Sequence, residues 1–312
     1  PPEVAHTISL SGLKTFSVLH KKDPEPIVSN EIKILGLNFS NRLGLAAGMD
    51  KNADYVDPLS YLGFGFIELG TLTPRAQKGN IKPRLFRLIK QRSLINRMGF
   101  NNKGIEHALE RVKAANSKAI LGLSIGKNFD TPIEKAVDDY LFSLELVYPV
   151  SDYITINISS PNTKGLRKLE EKKYFSDLIS SLKKKQKTLT KELGYKPILL
   201  KLSPDLEEQQ LESICKEVLD KNIDGIICSN TTINHNYPFE GGLSGEGLFE
   251  ISNNALMSFR QYLGASFPII ASGGVMGKSH YERKLELGAD LVQVYTGMIY
   301  KGPLLVKEIL TS

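Results

Sequence analysis

Amides, hydroxyls and cations recur beside tight turns in a few short strings. They are Ala46-Ala47-Gly48-Met49-Asp50-Lys51, Asn96-Arg97-Met98-Gly99-Phe100-Asn101-Asn102, Asn157-Ile158-Ser159-Ser160-Pro161-Asn162-Thr163 and Ser229-Asn230-Thr231-Thr232. An asparagine side chain offers a donor and an acceptor together, which suits a planar ring bearing amide or imide groups. Lys51, Lys201 and Arg97 are cations suited to balancing a phosphate, a carboxylate or a reduced ring anion. Gly273-Gly274 and Tyr295-Thr296-Gly297 are turns whose backbone N–H groups suit a phosphate. A metal site is disfavoured, because His6, His20, His107, His235 and His280 show no ligand pairing. A Ser-His-Asp hydrolase is disfavoured too, since Ser160 lacks a G-x-S-x-G elbow. Two chemistries stay open on the residues alone: redox chemistry with a phosphate-bearing cofactor, and aldol-type chemistry on a strand-end lysine such as Lys201.

These strings need a scaffold that brings them to one face. Short runs rich in Val, Ile and Leu alternate with amphipathic stretches. The expected strands are Leu43–Ala47, Phe66–Gly70, Ile120–Ile125, Tyr153–Asn157, Ile198–Leu202, Gly225–Ser229, Pro268–Ser272 and Leu291–Tyr295. Several are apolar on both faces, as buried parallel strands are. Between them, Ile105, Ala108, Leu109, Val112 and Leu211, Ile214, Cys215, Val218 follow helical spacing. Eight such alternations predict an α/β fold, a TIM-type (β/α)8 barrel, whose strand C-termini form the active face. A doubly wound sheet is the rival, but Gly48-Met49-Asp50 does not continue as its glycine fingerprint. Three excursions are expected: a short N-terminal helical extension (Glu3–Leu19) with a hairpin over Ile32–Phe39 across the barrel base; extra strands Arg84–Ile89 and Leu94–Asn96; and a long loop, Asn230–Leu248. Gly12 and the serines weaken the apolar stripe of the first helix, so periodicity favours an ordinary helix packed on the barrel.

The chain has 312 residues and a formal net charge of +6, with 41% hydrophobic and 24% charged residues. These values are ordinary for a globular protein and exclude disorder, collagen and coiled coil. Cys215 and Cys228 lack metal-ligand spacing and cannot make a disulfide framework, which favours a reducing compartment. No apolar run approaches the ~20 residues of a membrane span, and no secretory signal is expected at Pro1-Pro2-Glu3. No basic stripe interleaved with aromatics points to nucleic acid. The run Lys183-Lys184-Lys185-Gln186-Lys187 reads as the solvated face of a helix packed through Phe175, Leu178, Ile179, Leu182, Leu189 and Leu193.

Taken together with Glu68–Pro74, Lys82–Arg87, Gly242–Gly245 and Val292–Gly297, the strings above closely resemble dihydroorotate dehydrogenases of class 2, the quinone-dependent, membrane-associated class. The resemblance runs in order from about Pro2 to the C-terminus. It implies oxidation of (S)-dihydroorotate to orotate in pyrimidine (UMP) synthesis, with hydride passing to FMN and electrons then to ubiquinone or menaquinone. The alternatives are another FMN-dependent dihydropyrimidine-type oxidoreductase, or a flavin-binding barrel without turnover. Matched residue by residue, it implies FMN contacts from Ala47, Gly48, Lys51, Thr71, Ser124, Asn157, Lys201, Ser229, Gly245, Gly274, Tyr295 and Thr296. Substrate contacts are implied for Lys51, Asn96, Arg97, Met98, Gly99, Phe100, Asn157, Asn162, Asn230 and Thr231.

Ser160 matches the catalytic base, where the soluble class has cysteine. Ser124 stands where an asparagine is expected and Ser229 where threonine is common. His6, Arg84 and Tyr295 match the quinone end, with Ile8, Leu10, Leu13, Phe16 and Leu19 near a tunnel mouth. Residues 1–30 are then expected to be a remnant of the N-terminal quinone-tunnel segment, and residues 31–312 the FMN-binding catalytic barrel. The resemblance further implies a monomer bound peripherally to a membrane through its N-terminal region. That membrane would be the cytoplasmic face of a bacterial cell membrane, or the mitochondrial inner membrane in a eukaryote.

Overall fold

The computed structural model describes residues 2–20 and 27–311. Residues 21–26, inside the expected segment 1–30, lie outside the described residues, as do Pro1, Ser312 and the His20 side chain. The chain opens with α1 (Pro2–His20), then β1 (Ile32–Ile34) and β2 (Leu37–Phe39), which pair as an antiparallel hairpin. Next come β3 (Leu43–Leu45), α2 (Val56–Ser60), β4 (Phe66–Leu72), β5 (Leu85–Leu88) and β6 (Ser93–Asn96). Strand and helix then alternate through α3 (Ile105–Ala114), β7 (Ile120–Ile125), α4 (Ala136–Val147), β8 (Tyr153–Asn157), α5 (Lys172–Leu193), β9 (Ile198–Leu202), α6 (Glu208–Asp220) and β10 (Gly225–Cys228). The chain finishes through β11 (Gly242–Gly245), α7 (Phe249–Leu263), β12 (Ile269–Ser272), α8 (Lys278–Glu286), β13 (Leu291–Val294), α9 (Thr296–Lys301) and α10 (Leu304–Leu310).

Eight strands close a parallel barrel in the order β10-β12-β13-β3-β4-β7-β8-β9. Every expected barrel strand is present, within about two residues of its expected bounds. Because side chains alternate across a strand, steps of two residues climb the barrel interior. The lowest storey is apolar: Phe66, Tyr153, Leu199, Ile227, Ile270 and Leu291 pack with Phe39 of the hairpin, which plugs the base. Phe39 meets Phe66 edge-on, with ring centres 5.4 Å apart. Gly122 makes room for this storey, since a Cβ there would stand 2.0 Å from the Tyr153 ring. Two residues up, the storey is polar: Glu68 accepts from Thr155 Oγ1 at 3.0 Å and from Gln293 Nε2 at 3.0 Å, with Lys201 Nζ 3.5 Å away. One storey higher, Asn157, Ser229, Ser272 and Tyr295 line an open cleft. The outward residues Ile67, Leu69, Leu123, Ile154, Ile156 and Leu200 pack beneath the helices.

Three expectations change. The segment Asn230–Leu248 is not all loop: β11 pairs antiparallel with β6, giving a sheet of order β11-β6-β5 that overhangs the cleft. In α5, Gln186 is buried rather than solvated, and its Nε2 donates to Lys196 O at 2.7 Å. The first helix is only partly an ordinary packed helix. Leu10 is buried and Leu13 packs beside it, while Ile8, Val18 and Leu19 are 67%, 68% and 73% exposed. No described helix is long and apolar enough to cross a membrane.

Candidate active site

The cleft sits on the strand C-termini and encloses about 990 Å³, its mouth included. Asn157, at the end of β8, donates from Nδ2 to Thr71 Oγ1 at 2.9 Å. Its Oδ1 accepts from Asn230 Nδ2 at 3.3 Å, which also reaches Ser159 Oγ at 3.0 Å. Asn162 Nδ2 donates to Asn96 Oδ1 at 3.0 Å, joining the loop after β8 to the overhanging sheet. The asparagines are therefore gathered from β6, β8 and the loops after β8 and β10. Tyr140, buried in α4, fixes Asn157 from behind by donating to its carbonyl at 2.8 Å.

Ser160 is buried at the cleft wall, and the Asn162 N–H points to its Oγ at 3.3 Å. Thr163, three residues on, has a buried Oγ1 with no hydrogen-bond partner. Lys51 donates to Gly48 O at 2.5 Å. Burial, and then the Arg84 guanidinium, depress its ammonium to about 8. A lysine held this way is ready to accept an anion. Burial pushes the Tyr295 phenol up to about 12, so it stays neutral.

All the residues expected to touch FMN line the cleft except Ser124, and all those expected to touch substrate line it except Arg97; Ser160 lines it as well. Ser124 lies one layer back and shares a hydrogen bond of 3.0 Å with Thr71 Oγ1. Arg97 follows Asn96 at the end of β6, so alternation turns it outward. Its guanidinium donates to Pro83 O at 3.1 Å and approaches Glu240 at 3.6 Å. His6, on α1, and Arg84, which α1 covers through Glu3, lie outside the lining. Arg84 is buried and gripped by Glu3 of α1 at 3.0 and 2.9 Å, and by the carbonyls of Lys78 and Asn80. Burial, then the Lys51 charge, hold His6 down at about 4.

Two contributors escaped the sequence reading. Gln293 lines the cleft two residues before Tyr295, a position strand alternation marks out. Arg167 bridges three loops: it donates to Ser159 O at 3.0 Å, Asp205 Oδ2 at 2.8 Å and Thr231 O at 2.9 Å. A lone arginine between β8 and α5 carries no sequence signal of that role.

The lining suits the phosphate-bearing flavin expected from the sequence. Gly245, Gly273 and Gly274 form a glycine rim with φ of +90°, +115° and +77°. A Cβ on Gly274 would stand 2.3 Å from Phe249 Cα, and one on Gly245 2.5 Å from Arg92 O, so only glycine keeps the backbone this close. Gln293 Oε1 and Thr231 Oγ1 belong to the lining and are buried without a partner. Among the described residues no group of His, Cys, Asp and Glu is arranged to hold a metal ion.

Residues 29–312 match the family model described as dihydroorotate dehydrogenase. The chain is 48% identical over 321 residues to a protein of Acinetobacter baylyi named dihydroorotate dehydrogenase (quinone), covering all of this chain and 95% of that protein. It is 48% identical over 315 residues to a protein of the same name from an Azoarcus species, covering 98% and 93%. Among solved structures, the enzyme of Eimeria tenella in complex with ferulenol superposes with a TM-score of 0.89 at 32% identity, over 99% of this chain and 89% of that one.

Proposed function

The chain belongs to the dihydroorotate dehydrogenase family, and from that premise we propose that it is a quinone-linked flavoenzyme oxidising (S)-dihydroorotate to orotate in pyrimidine synthesis. The observation that carries this reading is the convergence of Lys51, Asn96, Asn157, Asn162, Asn230 and Ser160 on one cleft above a closed barrel. We propose FMN as the flavin, held by the glycine rim, Thr296, Lys201 and the Thr71–Asn157 pair. Bound there, FMN would supply a two-electron acceptor for the substrate hydride that a quinone can reoxidise.

The protein's own residues do the rest. The Lys51 ammonium pairs with the substrate carboxylate, recovering the charge that burial disfavours. The asparagine amides match the alternating N–H and C=O groups of the ureide ring. With the ring fixed at both ends, the C5 hydrogen is presented to Ser160 Oγ. An ordinary hydroxyl is a weak base, and the Asn162 N–H stabilises the charge that builds on this one. As Ser160 takes the C5 proton it gives up its own, and we propose that this proton leaves to solvent through a water bound in the cleft or through Thr163, whose buried hydroxyl has no other partner.

Purified protein is expected to be yellow and to bleach without oxygen when dihydroorotate is added, regaining colour with ubiquinone or menaquinone. Colour that persists under excess dihydroorotate removes the enzyme reading and leaves a flavin-binding barrel. We further propose a peripheral membrane protein, supported by the exposed apolar residues of α1, and a monomer.

A further inference from the structure

Lys284 of α8 is completely buried, an unusual place for an ammonium. Its Nζ donates to Ser252 Oγ at 2.6 Å and stands 5.3 Å from the centre of the Phe249 ring. Among the described residues no carboxylate is within ion-pair reach; burial holds the ammonium down at about 8, with Cys228 and then Glu250 acting against that. Ser252 Oγ lies 2.9 Å from Gly273 O and 2.8 Å from Phe249 O. Gly273 lines the cleft, and the Phe249 backbone is what a Cβ on Gly274 would strike. The ammonium therefore sits one hydroxyl behind the glycine rim. The rim itself has no charged side chain: among the described residues the cations lining the cleft are Lys51, tied to Gly48 O, and Lys201, beside Glu68. A buried charge without a counterion is costly, and cores generally do without one. An anion brought to the far side of the rim would remove that cost.

We propose that Lys284 is a positioning residue, a fixed positive charge behind the Gly273-Gly274 turn that makes the site select a flavin carrying a phosphate over one without it. The proposal rests on the flavin reading above. Lys284 acts through Ser252 and the turn backbone and touches neither substrate nor the reacting ring.

The test is a competition on the holoenzyme. Protein is equilibrated with mixtures of FMN and riboflavin, separated from free flavin, and the ratio retained is read by fluorescence after release. The parent is expected to prefer FMN strongly. In Lys284→Met the preference falls on the order of tenfold, the size of one screened charge interaction, while riboflavin is retained as well as before. Lys284→Gln keeps a donor for Ser252 without the charge and is expected to show the same fall, which keeps the test sound should the methionine variant fail to fold. Removing an uncompensated buried charge also raises the melting temperature of the flavin-free protein in Lys284→Met. A merely structural lysine would lower retention of both flavins together, lower that melting temperature, and leave the ratio unmoved. A parental ratio in both variants overturns the proposal. A parent that retains neither flavin overturns the cofactor reading and takes the proposal with it.

Discussion

Ser160 and Lys51 carry the two charges that the reaction must manage. Ser160→Ala is expected to slow flavin bleaching by about 10²–10⁴-fold, the usual contribution of a positioned base. Ser160→Cys keeps part of the rate with a lower pH optimum, because a thiol ionises far nearer neutrality than a hydroxyl. Stopped-flow bleaching across pH distinguishes these, and an alanine variant as fast as the parent would place the base elsewhere. For Lys51 the sign of the pH effect follows from its depressed value of about 8. The charged form is disfavoured in the free protein and restored by a bound carboxylate, so binding draws in a proton above that pH. Orotate titrations near roughly pH 8.5, in buffers of different ionisation heat, are expected to show proton uptake that Lys51→Met lacks. Most of the residues around these two were readable from short strings in the sequence. Arg97 and Ser124 were not, because the side to which a residue points depends on where its strand ends, and that is settled by distant partners.

The elements differ in how far the sequence betrays them. Barrel strands are apolar on both faces, and their helices repeat at helical spacing, so their number and order were legible. The strand Gly242–Gly245 was invisible, since two glycines give it no propensity and only its pairing with Ser93–Asn96 makes it a strand. The first helix looked ordinary because a broken stripe does not say which side is left bare. Its N-terminal turn is locked to Arg84 through Glu3, with His6 near Lys51. We expect His6→Ala or Arg84→Ala to impair reoxidation by quinone more than reduction by dihydroorotate, measured as separate half-reactions; equal losses would remove the quinone end from this helix. His6 titrates at about 4 rather than 6.5, so it favours the docked neutral state. That contribution is complete above pH 6.5 and is lost as the pH falls through 4. Hydrogen exchange in this helix is expected to rise over that window and to flatten in His6→Gln.

For the molecule as a whole, a net charge of +6 and a bare apolar helix face point the same way. Both favour an anionic lipid surface, the charge over distance and the face on contact. Sedimentation with vesicles containing anionic lipid is expected to capture the parent, and less of it as salt rises. Ile8→Ser with Leu19→Ser is expected to stay in solution yet bleach normally with dihydroorotate. Capture equal to the parent would separate this face from any lipid contact. At this scale the sequence was most informative, because eight repeats of one pattern leave few ways to close. It said least about Glu68, whose carboxylate would ordinarily be placed outside and is instead buried beside Lys201 and Thr155.

Arg167 ties the loop of Ser160, the loop of Asp205 and the loop of Thr231 with a single planar group. None of the three can swing aside alone without stranding the bonds of the others. One guanidinium thus sets the spacing of all three segments, and Arg167→Ala is expected to loosen them together, the segment beside Ser160 included.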